Sequence, residues 1–158
     1  MTFHSETIDD TSVAYKGRWS SQENTTAGSF FHVTSQLGDS AQLTFNGKSY
    51  LPVASPYVAA HASRVGTAIS VFGLRDPTAG HYNVTLDGNT TQFDAQSAWK
   101  EDAVLFYMTG LDPEHTHSLT ITNAEDHMLA VGHINTTSVS GVPMQVHPRI
   151  CITFRDYL

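Results

Sequence analysis

The chain has 158 residues, of which 40% are hydrophobic and only 15% charged, with a formal net charge of -7. That length fits one ordinary domain, 1–158, with enough chain to bury a real core, and the low charge with Ser and Thr at about a fifth of the residues suits β-structure with hydroxyl-rich outer faces. Nucleic acid is excluded as a partner, because phosphate binding draws on clustered Lys and Arg and the 8 present are scattered singly.

The opening MTFHSETIDD is polar from the start and is not a charged-then-apolar leader, and no run of about 18 apolar residues follows that could span a bilayer. Strands are expected at 13–19 and 29–34. Trp19 closes the first of these and shares the parity of Val13, Tyr15 and Gly17, which points to core packing. AQLTFNG alternates cleanly: Ala41, Leu43 and Phe45 face one way, Gln42, Thr44 and Asn46 the other. SPYVAAHASRVG is the one helical candidate, with Ser55 as cap, Pro56 at the first helical position and Gly66 at the end.

A strand at 69–74 leads to HYNVTLDGNTTQF, a hairpin whose Tyr82, Val84 and Leu86 face inward and whose Asp87-Gly88 is the dipeptide of a tight turn. Its second strand is expected at 90–95, and further strands at 104–108, 118–123 and 128–134. SVSGVP then reads as a flexible connection to a last strand at 149–155. About ten short strands separated by turn signals mean an all-β sandwich or barrel.

Cys151 is alone, so no internal disulfide forms. Four of the six Asn residues head an Asn-x-Thr triplet: Asn24, Asn83, Asn89 and Asn135. Asn83 points outward from its strand and Asn89 sits at the turn, where attached sugar meets only solvent. The sequons lead us to expect a secreted or ectodomain glycoprotein whose signal peptide has been removed.

The order IDDTSVAYKGRWSS, FFHVTSQLGDSAQLTFNG, ISVFG, GHYNVTLDG, LFYMTGLDPEHTHSLTITN resembles a domain found in fungal, especially basidiomycete, secreted and membrane-anchored proteins. The resemblance covers 8–131. It implies a jelly-roll β-sandwich of the galactose-binding type in an extracellular setting, and it carries no catalytic residues to transfer. The segment 48–66 departs from it as an inserted loop, and the tail after Ile134 does not match.

His115-Thr-His117 has a spacing that can chelate a transition metal, yet no third ligand lies nearby, and the inward parity of His117 favours a buried histidine bonded to backbone. Structural calcium is the better ion candidate, with Asp9, Asp10 and Asp126 as contributors. The adjacent carboxylates Glu101-Asp102 and Glu125-Asp126 look like turns rather than catalytic pairs, and neither a Gly-x-Ser-x-Gly elbow nor a His-Glu-x-x-His motif is present.

Sugar binding needs flat aromatic faces and a few polar side chains to read hydroxyls. Tyr50, Tyr57 and Trp99 lie in turn-like or inserted segments, with Arg75, His81 and Asp94 as polar partners; for Trp99 core and surface remain equally open. The expected function is a non-catalytic extracellular module that binds carbohydrate, a cell-wall glycan. The alternatives are a protein-interaction or structural ectodomain and, from another class, a hydrolase or its accessory domain.

Overall fold

The structure, a computed structural model, describes residues 2–8, 12–24, 29–46, 64–112 and 115–140. Within them lie eleven strands: β1 (Thr2–Ile8), β2 (Ala14–Lys16), β3 (Ser20–Asn24), β4 (Ser29–Thr34), β5 (Ser40–Asn46), β6 (Arg64–Arg75), β7 (His81–Leu86), β8 (Asn89–Asp94), β9 (Glu101–Leu111), β10 (Thr116–Asn123) and β11 (Leu129–Ser140). One sheet has the order β3-β4-β11-β6-β9 with β1 also on β11, and the other has β2-β5-β10-β7-β8. The result is the expected two-sheet sandwich.

Alternation explains which side chains meet between the sheets. Leu43 and Phe45 of β5, Tyr82, Val84 and Leu86 of β7, and Leu119 and Ile121 of β10 point inward onto Ile69 and Val71 of β6, Leu105 and Phe106 of β9, and Val131 and Ile134 of β11. Each such side chain, fully buried, contributes about 1.5–3 kcal/mol. Tyr82 brings a hydroxyl into this layer and donates it to the Leu105 carbonyl, and burial pushes its pKa up to about 12. In β11 Leu129, Ala130 and Val131 are buried in succession, because Ala130 joins Phe31, Val33 and Leu74 in a second, small apolar cluster on the opposite face of its sheet.

The β7–β8 hairpin is closed by the two residues the sequence offers, with φ of 51° at Asp87 and 84° at Gly88. Both angles are positive, the condition of a type I′ turn. Asp87 is held there by its own carboxylate, which accepts from the Ser118 amide at 2.9 Å and pairs with His117 Nδ1 at 2.7 Å.

One strand was not expected, and three expectations change. The polar opening is strand β1, antiparallel to β11 from Thr2 opposite Ser140 to Ile8 opposite Ile134. It pairs through main-chain groups while Ser5, Glu6 and Thr7 stay exposed, so its side chains carry little apolar signal. The strand expected at 13–19 stops at Lys16, because Gly17 takes a φ of 112° and turns the chain before β3. Arg64 to Gly66 begin β6 instead of ending a helix, and Ser138 to Ser140 extend β11 instead of forming a loose connection, the two segments pairing with each other. The remainder of the helical candidate, most of the inserted segment, Cys151 and the strand at 149–155 lie outside the described residues. No helix among the described residues is long and apolar enough to cross a membrane.

Candidate functional site

The turns after β6, β8 and β10 converge at one end of the sandwich. Asp76 is bridged to Gln96 and Ala79 to Met128. The Asp76 amide donates to the Ala95 carbonyl, and the Ala95 amide to that of Gly80. Asp76 also accepts from the amide and hydroxyl of Thr78 at 2.8 and 2.7 Å; these bonds, the hydroxyl first, hold its carboxyl below the usual range despite some desolvation.

Four of the six sugar-binding candidates come together on this framework. Arg75 stands opposite Glu101 in the β6–β9 register, and its Nη2 donates to the Gln96 carbonyl at 3.0 Å. Its Nε is buried without a partner. Asp94 stands opposite His81 and accepts from the Gln96 amide at 2.8 Å. Trp99 is 66% exposed, and its indole Nε1 donates to Glu101 Oε2 at 3.2 Å, while the Ser97 hydroxyl holds Glu101 Oε1. The balance left open for Trp99 is thus decided for the surface. The other two candidates, Tyr50 and Tyr57, lie outside the described residues.

His81 is less available than its outward position suggests. Its Nδ1 lies 2.7 Å from Glu125 Oε1, and its amide donates to Oε2 of the same carboxylate. Those bonds, the backbone one first, and the charge of His127 at 3.3 Å draw the Glu125 pKa down. Glu125 and Glu101, read from sequence only as turn carboxylates, are the residues that hold His81 and Trp99. The His81–Glu125 bonds join segments 44 residues apart that only the tertiary fold makes neighbours, whereas Trp99 and Glu101 are two residues apart, so that bond was within reach of the sequence and was not read there.

The His115-Thr-His117 pair does not converge on one point. His115 Nδ1 pairs with Asp112 at 2.6 Å, whereas buried His117 reaches Asp87 through Nδ1 and the Asp112 carbonyl through Nε2 at 2.8 Å. The bond to backbone follows the sequence reading, and the partnership with Asp87 is new. Among the described residues no group of three or more His, Cys, Asp or Glu side chains is placed to hold a metal ion. Asp126, one of the calcium candidates, accepts from the Leu37 amide at 3.0 Å; Asp9 and Asp10 lie outside the described residues.

The sequons occupy different surroundings. Asn89 is exposed just past the turn, and Asn83 is half-buried between Gln92 and Thr122 on its neighbouring strands. Asn135 sits between Ser70 and Thr7, and its Oδ1 is buried without a partner. Asn24 ends β3 opposite Ser29.

No family model and no curated protein matches this chain. Solved structures do. A family 35 carbohydrate-binding module from Clostridium thermocellum superposes with a TM-score of 0.53 at 11% identity, covering 84% of this chain and 97% of that one. A second family 35 module, from Cellvibrio japonicus, gives 0.51 at 8% identity over 87% and 99%. A family two carbohydrate esterase from Cellvibrio japonicus gives 0.50 at 14% identity, with 94% of this chain spanning only 37% of the enzyme. The fold is therefore a jelly-roll β-sandwich.

Proposed function

We propose that this protein is a non-catalytic, extracellular carbohydrate-binding module whose ligand is a cell-wall glycan, bound at the end of the sandwich that carries Trp99. One observation carries the reading: a large aromatic ring stands in solvent on a jelly roll with its edge fixed. Exposed indoles are costly in solubility unless a partner covers them, and a ring held by a carboxylate loses little freedom when a sugar stacks on it. Arg75 and Asp94, both bonded to Gln96 of the turn that carries Trp99, supply a donor and an acceptor for hydroxyls. Tyr50 and Tyr57 are proposed to extend the aromatic surface. The extracellular setting is supported by the sequons, of which Asn89 is exposed beside the hairpin turn.

Binding of soluble wall polysaccharides by affinity electrophoresis is the test. Trp99→Ala is expected to weaken it by about tenfold or more, as loss of one aromatic anchor does, with the amide spectrum unchanged. Retained binding in the variant would remove this site from the proposal.

A second reading, a protein-interaction ectodomain, has its own observation. β9 is an edge strand that exposes Val104 at 51%, Tyr107 at 59% and Met108 at 39%, and beside Met108 runs a groove of about 250 Å³ shared with Leu86, Asn89 and Phe106. A protein that binds no polysaccharide but sediments as a dimer, and as a monomer once Tyr107→Glu is made, would favour it.

A further inference from the structure

In the six-stranded sheet both flanks of β11 are interrupted between Val131 and Ile134. β4 and β1 follow one another along the same flank of β11: β4 pairs up to Val131, and β1 takes over at Ile134. The β6 flank is irregular between the same two residues. Gly132 and His133 consequently have no strand partner in register on either side, and a cavity of about 350 Å³ opens at the break, lined by Thr7, Ser21, Phe30, His32, Gly132 and His133 among others. In the strand order this break lies at β4 and β11, on the other side of β6 from β9 and its Trp99 platform.

The lining has an amphiphilic character. Phe30 is 61% exposed, which is unusual for a phenylalanine flanking a cavity unless something covers it. Both imidazoles are held by stacking: His32 lies 4.2 Å from the Tyr15 ring at 20°, and His133 lies 4.3 Å from the Phe72 ring at 11°. Two hydroxyls, of Thr7 and Ser21, add to the polar share, and among the described residues no Lys, Arg, Asp or Glu lines the space. A flat apolar ring, fixed nitrogen groups and hydroxyls around a cavity near the small end of the ligand-site range are what a pyranose requires: its C–H face stacks and its hydroxyls hydrogen-bond. Stacked imidazoles have little rotamer freedom left to lose on binding.

We infer that this break in the sheet is a second carbohydrate subsite, which takes one hexopyranose unit through stacking on Phe30 and a hydrogen bond to His133. The inference rests on the carbohydrate-binding reading above but uses a separate set of residues.

The test is a titration of the isotope-labelled full chain with the methyl glycosides of glucose, galactose and mannose, followed by amide resonances. With at least one of the three, the Gly132 and His133 amides should shift saturably, and they should do so equally in Trp99→Ala. Phe30→Ala should weaken that binding by about two- to tenfold, the worth of one stacking contact. His133→Ala, at an exposed position, should weaken it similarly and serves if the Phe30 variant does not fold. Polysaccharide binding that depends on Trp99 while Gly132 and His133 stay still would overturn this subsite and leave the proposed function standing. No binding of any sugar, monomeric or polymeric, would end both.

Discussion

His117 is the one basic side chain that the core buries among the described residues, and its protonation is tied to the hairpin turn. Burial by itself disfavours the charged ring, but the bonds it donates to Asp87 and to the Asp112 carbonyl, with the charges of both carboxylates, outweigh it, so its pKa lies above the ordinary 6.5. For Asp87 burial resists ionisation too, and the Ser118 amide and His117 outweigh it, leaving its pKa below 3.8. The two shifts have opposite consequences. The stabilisation from His117 is complete below pH 6.5 and is lost as pH rises through the raised folded value. That from Asp87 is complete above pH 3.8 and fades as pH falls through the lowered one. Thermal unfolding should therefore occur at its highest temperature between about pH 4 and 6.5 as far as this pair decides it, and the decline above pH 6.5 should flatten in Asp87→Asn. An unchanged slope in that variant would show the pair to be uncoupled from folding. The inward parity of His117 was legible from Leu119 and Ile121 two and four residues on; its carboxylate partner, 30 residues away in the chain, was not.

At the scale of elements, turns were legible where their chemistry is local and opaque where it is borrowed. Asp87-Gly88 announces its hairpin, because both conformations required are favoured by those residue types. Gly17 announces nothing, since the residue that needs it is Asp39, whose Oδ2 accepts from the Arg18 amide at 2.7 Å and from the Thr34 hydroxyl at 2.6 Å. A Cβ at position 17 would collide with that carboxylate, and φ there is already 112°. Gly17→Ala should thus lower stability by about 2 kcal/mol or more, combining left-handed strain with lost bonds to Asp39. Gly38→Ala is the control: φ is 84° but nothing lies within 4 Å of the new atom, so only the conformational cost of about 1 kcal/mol is expected. Urea midpoints measure both, and equal losses would show that Asp39 plays no part. β1 makes the same point in reverse, as a strand chosen by the free flank of β11 rather than by its own alternation.

For the whole molecule, the sandwich should respond to core truncation as one unit, because both sheets share a single main cluster. Ile121→Ala, at 1% exposure in the middle of β10, is expected to cost about 2–5 kcal/mol, a large part of a typical domain's stability, and to move fluorescence and circular-dichroism transitions together. Separate transitions would mean that the sheets unfold independently. The sequence alone determined the class of fold, the inward faces of β5, β7 and β10, and the place of the tight β7–β8 turn, because period-two alternation and turn preferences act between residues close in the chain. Only the tertiary structure decided that Trp99 stands in solvent, that Arg75, His81 and Asp94 share its end of the sandwich, and that a cavity opens at Gly132 where β4 gives way to β1. Those features depend on which strands lie side by side and where their ladders stop, and that is set by packing between residues far apart in the chain.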